Sequence, residues 1–86
     1  MRIKLNVLST PDERYGTRDD GAWKQGLSRL LRQNTDDVYD TGGGSDMHVA
    51  ENFYTVEVSN QKQYSQLVYE LMTHGYEFTH WAWPEP

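Results

Sequence analysis

The residues of this chain whose types could do chemistry are three histidines, a run of carboxylates and a glycine triplet. His48, His74 and His80 lack the i, i+4 helical spacing or the short strand spacing that builds a metal site locally. Asp46, His48 and His80 would make a general-base group only if the fold brought them together at a sheet edge. His80, on the inward face of its strand, reads more simply as a core histidine. No serine stands in a nucleophile-elbow context and the chain has no cysteine, so the spacing predicts no catalytic residues and no metal site. Gly42-Gly43-Gly44-Ser45 could cradle a phosphate through backbone N–H groups. Phosphate loops, however, lead into a helix and add a lysine or a fixed glycine spacing. A strand is expected to follow here, so the segment reads as a pliable hairpin loop, and no cofactor is expected.

Two other groups suit recognition. Asp36, Asp37, Asp40, Asp46 and Glu51 cluster along one strand and its hairpin, where they either present a negative edge to a basic partner or deter unwanted strand pairing. Phe53, Trp81 and Trp83, with Lys4, Thr55 and Thr79, alternate with apolar positions in their strands and so fall on the face away from the core. A Trp or Phe buries about 150–250 Å² when covered, and soluble monomers seldom leave clusters of such rings in water. The alternative is an inverted face assignment that makes both tryptophans core.

At 86 residues the chain allows one domain, residues 1–86, and a chain of this size buries only roughly 60–65% of its unfolded surface. Thirteen acidic against eight basic residues, a net charge of −5, disfavour phosphate-backbone binding, so direct nucleic-acid contact is not expected. An RNA-recognition sheet would also carry a Lys/Arg-Gly-aromatic signature that Asn52-Phe53-Tyr54-Thr55-Val56 does not have. Without cysteine, a signal-like N-terminus or an apolar run of about 20 residues, a cytoplasmic protein without membrane association is expected.

The elements that must position these residues follow from the hydrophobic periods. Ile3, Leu5 and Val7 alternate with Arg2, Lys4 and Asn6, which predicts a first strand. Thr10-Pro11-Asp12-Glu13 ends it, and an irregular link follows. Trp23, Leu27, Leu30 and Leu31, with Gly26 in the same stripe, predict a helix over 19–33. It would be capped by Thr17, Asp19 or Asp20, and Gly26 would allow close approach to the sheet. A short edge strand is expected at 36–41, and a third strand at 47–59 with Tyr54, Val56 and Val58 inward. Asn60 and Gln63 form a capping box before Tyr64, Leu67, Val68, Leu71 and Met72, a second helix ending at His74-Gly75. Tyr76 to Trp83 alternate as the last strand.

The order βαββαβ fits a ferredoxin-like α+β sandwich. Its four-stranded antiparallel sheet has strands one and three central, strands two and four at the edges, and two helices on one face. The expected function is that of a small, acidic, non-enzymatic protein-binding module. It would be a regulator or inhibitor, with the profile of mobile-element proteins that inhibit basic, nucleic-acid-handling host enzymes. Its partner-binding residues would be Phe53, Trp81, Trp83, Asp36, Asp37, Asp40, Asp46 and Glu51. Two alternatives stand beside it: a structural homodimer packed through the open sheet face, and a small-molecule sensor with a pocket near Gly42–Asp46 and His48.

Overall fold

A computed structural model describes residues 1–15 and 21–82. In chain order the elements are β1 (Arg2–Ser9), α1 (Pro11–Tyr15), α2 (Ala22–Asn34), β2 (Asp37–Ser45), β3 (Ala50–Glu57), α3 (Gln61–Thr73) and β4 (Glu77–Ala82). The strands form one antiparallel sheet in the order β2-β3-β1-β4. β1 and β3 are central, β2 and β4 are the edges, and the fold is ferredoxin-like.

Alternation fixes which face the helices cover. Ile3, Leu5, Val7, Tyr54, Val56 and Val58 are buried together with Leu27, Leu30 and Leu31 of α2 and Leu67 and Leu71 of α3, while Trp23, Val38, Tyr64, Tyr76 and Phe78 pack around them. Trp23 meets Tyr76 edge to face at 5.8 Å between ring centroids. Two members of the expected helical stripes lie elsewhere. Met72 is 66% exposed although Leu71 beside it is fully buried, so it lies on the flank of the helix and outside the buried stripe. Gly26 is exposed, and a Cβ built there would meet only the Tyr76 hydroxyl at 3.9 Å, so it permits no close approach. The expected caps Thr17, Asp19 and Asp20 lie outside the described residues, as does Trp83.

Three further departures have local causes. The link after β1 is helical, because Thr10 and Glu13 form a reciprocal capping box. The Glu13 N–H donates to Thr10 Oγ1 at 3.1 Å, and the Thr10 N–H donates to Glu13 Oε1 at 2.8 Å; Pro11 occupies the first helical position, where its missing N–H costs nothing. β2 does not stop at residue 41. It bulges between Asp40 and Gly42 and continues through the glycine triplet, with Gly42 opposite Phe53, Gly43 opposite Asn52 and Gly44 opposite Glu51. The hairpin turn is therefore Asp46–Val49, where Asp46 Oδ1 accepts from the His48 and Val49 N–H groups at 2.8 Å.

Glycine is required at Gly43 by the Glu51 carbonyl and by Arg14. The Arg14 guanidinium donates to the Glu51 carbonyl at 3.1 Å and to Asn52 Oδ1 at 2.8 Å. A Cβ on Gly43, whose φ is +147°, would lie 2.0 Å from the Glu51 oxygen and 2.7 Å from the Arg14 Nη1. Asn52, only 1% exposed, passes the tie to β1 by donating to the Val7 carbonyl at 2.9 Å and to Ser9 Oγ at 2.8 Å.

Candidate functional site

Residues directly opposite one another in an antiparallel sheet share a face, so the register builds the side away from the helices row by row. The first row is Asp37, Glu57 and Arg2; the second is Tyr39, Thr55, Lys4 and Trp81; the third is Gly42, Phe53, Asn6 and Thr79; the fourth is Gly44, Glu51, Leu8 and Glu77. Among the described residues no helix packs on this face. The second row crosses the whole sheet with a ring at each edge, Tyr39 at 51% and Trp81 at 48% exposure. Phe53 is half-buried in the row beside it. Trp81 is therefore not core, and the face expected for Phe53, Thr55, Thr79 and Trp81 is the one observed.

Four carboxylates, Asp37, Glu51, Glu57 and Glu77, frame these rings against two cations, Arg2 and Lys4. Arg2 is paired with Glu57 at 2.7 Å. The Tyr39 hydroxyl donates to Asp37 Oδ2 at 2.7 Å, and that bond to a carboxylate pushes the phenol pKa up. Asn6 Nδ2 reaches Glu51 Oε2 at 3.4 Å, while its own Oδ1 is buried without a hydrogen-bond partner among the described residues. An orphaned acceptor of this kind costs free energy until a donor reaches it.

The acidic cluster read from the sequence does not form one surface. Asp37 and Glu51 are on the open face. Asp40, past which the strand bulges, shares the helix-facing row with Tyr54, pairs with Lys24 at 3.2 Å and accepts from the Gly42 N–H at 2.9 Å. Burial opposes its ionisation, but the Gly42 N–H and Lys24 hold its pKa below the ordinary range. Asp36 lies before β2 and accepts from Ser59 Oγ and from Gln63 Nε2, which lowers its pKa. Asp46 closes the hairpin turn, and the Val49 and His48 N–H groups lower its pKa likewise. Asp36, Asp40 and Asp46 are thus held by internal hydrogen bonds away from the open face.

The histidines are equally dispersed. His80 faces the helix layer but is exposed, not core; its Nδ1 shares a short hydrogen bond with the Tyr64 hydroxyl. It stands opposite Leu5, whereas the hairpin that carries His48 lies beyond Ser9, about 13 Å further along β1 at 3.3 Å per residue. His48 borders an open cleft of about 370 Å³ with Leu8, Thr10, Trp23, Val49 and Tyr76, but no residue from Gly42 to Asp46 lines it. Among the described residues no three His, Asp or Glu side chains converge as metal ligands, and no helix is long and apolar enough to cross a membrane.

Sequence reasoning left out Tyr39 as a member of the face, while Glu57 and Glu77 lie where the alternation of their strands puts them. The signal for Tyr39 was present: Val38 points inward, so its neighbour must point outward.

No protein-family profile matches the chain, and a search of curated proteins returns no match. Among solved structures, the chain is similar to the de novo designed protein Ferredog-Diesel, with a TM-score of 0.54 and 12% identity over 95% of this chain and 85% of that one. At that identity the likeness concerns the fold alone.

Proposed function

We propose that this chain is a non-enzymatic protein-binding module, a regulator or inhibitor that docks its open sheet face on a basic surface of a partner protein. The observation that carries this reading is the row Tyr39, Thr55, Lys4 and Trp81, which sets two half-exposed rings on the side of the sheet that no described helix covers. Tyr and Trp are the side chains most often found as interface anchors, because they bury large area with few rotatable bonds.

The framing carboxylates supply the sign of the partner. Four acids against two cations on one face, in a chain of net charge −5, attract a basic surface, speed encounter and repel acidic competitors. The same excess opposes a two-fold dimer through this face, since each copy would set its carboxylates near those of the other. Area points to contacts beyond the sheet. Four strands about 4.8 Å apart and about seven residues long present roughly 440 Å², while a specific interface needs about 800 Å² per partner. The hairpin tip, where Met47 is 86% exposed, adjoins the face and extends it. The separation of His48 from His80 supports binding over catalysis.

The test is affinity capture with the folded wild type beside Tyr39→Ala/Trp81→Ala, at low and high salt, with each retained protein purified and bound again alone. A basic protein that rebinds, and is lost both in the double variant and at high salt, is the expected result. Capture indifferent to both changes refutes the proposal.

A further inference from the structure

Charge in this chain is segregated by element. Helix α2 carries Lys24, Arg29 and Arg32 and no carboxylate, whereas residues 33–61 carry six carboxylates and no lysine or arginine. The outer side of α2 bounds an open groove of about 480 Å³ lined by Lys24, Gln25, Ser28, Arg29, Arg32 and Gln33. All six side chains carry N–H or O–H donors, three are cationic, and none is acidic. On a protein with a net charge of −5 such a lining is the opposite of the surroundings.

Lys24 is committed in part to Asp40 at 3.2 Å. Among the described residues Arg29 and Arg32 have no ion pair. Arg32 also borders a cleft with Asp36 and Asp37, but among the described residues it pairs with neither carboxylate, and both accept hydrogen bonds from other groups. Asp36 accepts from Ser59 and Gln63, and Asp37 from the Val38 N–H and the Tyr39 hydroxyl. Arg29 and Arg32 are i, i+3 neighbours on the helix surface, where like charges repel. An anion seated between two guanidinium forks turns that repulsion into two charge-assisted hydrogen-bond sets.

We propose that the outer groove of α2 is a binding site for a small polyphosphate anion. Lys24 to Arg32 spans eight residues, about 12 Å of helix, which suits several linked phosphate groups better than a single one. A phosphate group also offers more acceptor oxygens than a carboxylate does, which matches a lining in which every side chain carries a donor. The groove lies on the helix side, so this site is independent of the open sheet face.

The experiment is a titration followed by amide chemical shifts in moderate salt, with inorganic tripolyphosphate in one arm and adenosine triphosphate in the other. The proteins are the wild type, Arg29→Gln/Arg32→Gln and Lys62→Gln, the last removing a cation from α3. The site predicts saturable shifts confined to residues 24–33, at least about tenfold weaker binding in the double variant, and no change in Lys62→Gln. Equal affinity in the two arms assigns the phosphate chain alone as ligand; tighter adenosine triphosphate assigns a nucleotide. Shifts that follow every lysine and arginine, failure to saturate at millimolar ligand, or an unaffected double variant overturn the proposal.

Discussion

Substituting the three consecutive glycines of β2 one at a time separates a strand from a flexible loop. Gly43→Ala places a methyl group where the Glu51 oxygen is 2.0 Å away and the Arg14 guanidinium 2.7 Å away, at a φ of +147°. The backbone strain costs about 1–3 kcal/mol. Displacing Arg14 forfeits hydrogen bonds to Glu51 and Asn52 that contribute about 1–2 kcal/mol after partial readjustment. The expected loss is about 3 kcal/mol, or roughly 17 °C in Tm for a domain of this size. Gly42→Ala meets nothing within 4 Å but has a φ of +103°, so it carries the strain alone, about 1–2 kcal/mol. Gly44→Ala has neither problem and should fall within about 0.5 kcal/mol of wild type, or gain slightly from a less flexible unfolded chain. Urea denaturation of the three variants gives the ranking directly. Equal, small effects at all three positions would show that the triplet is a loop and that Arg14 does not pack on it.

On the open face Trp81→Ala and Tyr39→Ala should each cost no more than about 1 kcal/mol, whereas Leu71→Ala, fully buried, should cost about 2–5 kcal/mol; thermal unfolding of the three distinguishes surface from core. Asn52→Ala should cost about 2–3 kcal/mol, because it strips partners from Arg14 and the Val7 carbonyl, and urea midpoints should show Asn6→Ala to be milder. The Asp36 carboxylate is held below its ordinary pKa by Ser59 and Gln63. A depressed folded pKa means its contribution is present above the unfolded value of about 3.9 and is lost as pH falls below that value. The stability gap between wild type and Asp36→Asn should therefore be constant near neutrality and shrink in acid. A gap that grows as pH falls would contradict the bonding described for Asp36.

The sheet order was legible because it rests on repeated patterns, period two in Ile3-Leu5-Val7 and period 3.6 from Tyr64 to Leu71, and burial enforces those patterns at every turn. Helix α1 is too short to show a period. Its signal is chemical instead, Thr10-Pro11-Asp12-Glu13, which reads as a capping box with proline in the first turn. The glycine triplet misleads because Gly43 is set by long-range contacts: the Glu51 carbonyl across the sheet and Arg14, from a helix 29 residues upstream, leave no room for a side chain there, whereas Gly42 has a positive φ and Gly44 has open space. The acidic cluster misleads for a local reason. Asp37 and Asp40 are three residues apart, so ordinary alternation sets them on opposite faces, and the bulge between Asp40 and Gly42 then shifts the alternation of the residues that follow.

What the fold requires of the open face is modest, and this is what makes its composition informative. A solvated sheet face is stable with threonine, lysine and glutamate, which pair across strands and keep the surface wet. Thr55 and Lys4 at the centre of the second row, and Glu57 and Arg2 in the first, meet that requirement. Tyr39 and Trp81 are on edge strands, where large exposed rings invite association and charged residues are the usual protection. Neither ring belongs to the buried core cluster, and their removal is expected to leave the fold standing. Rings that folding does not demand, placed where they carry an aggregation risk and fenced by carboxylates that limit it, fit selection for contact with another molecule. If Trp81→Ala instead proved as destabilising as Leu71→Ala, that argument would fail, since the ring would then be accounted for by the fold itself.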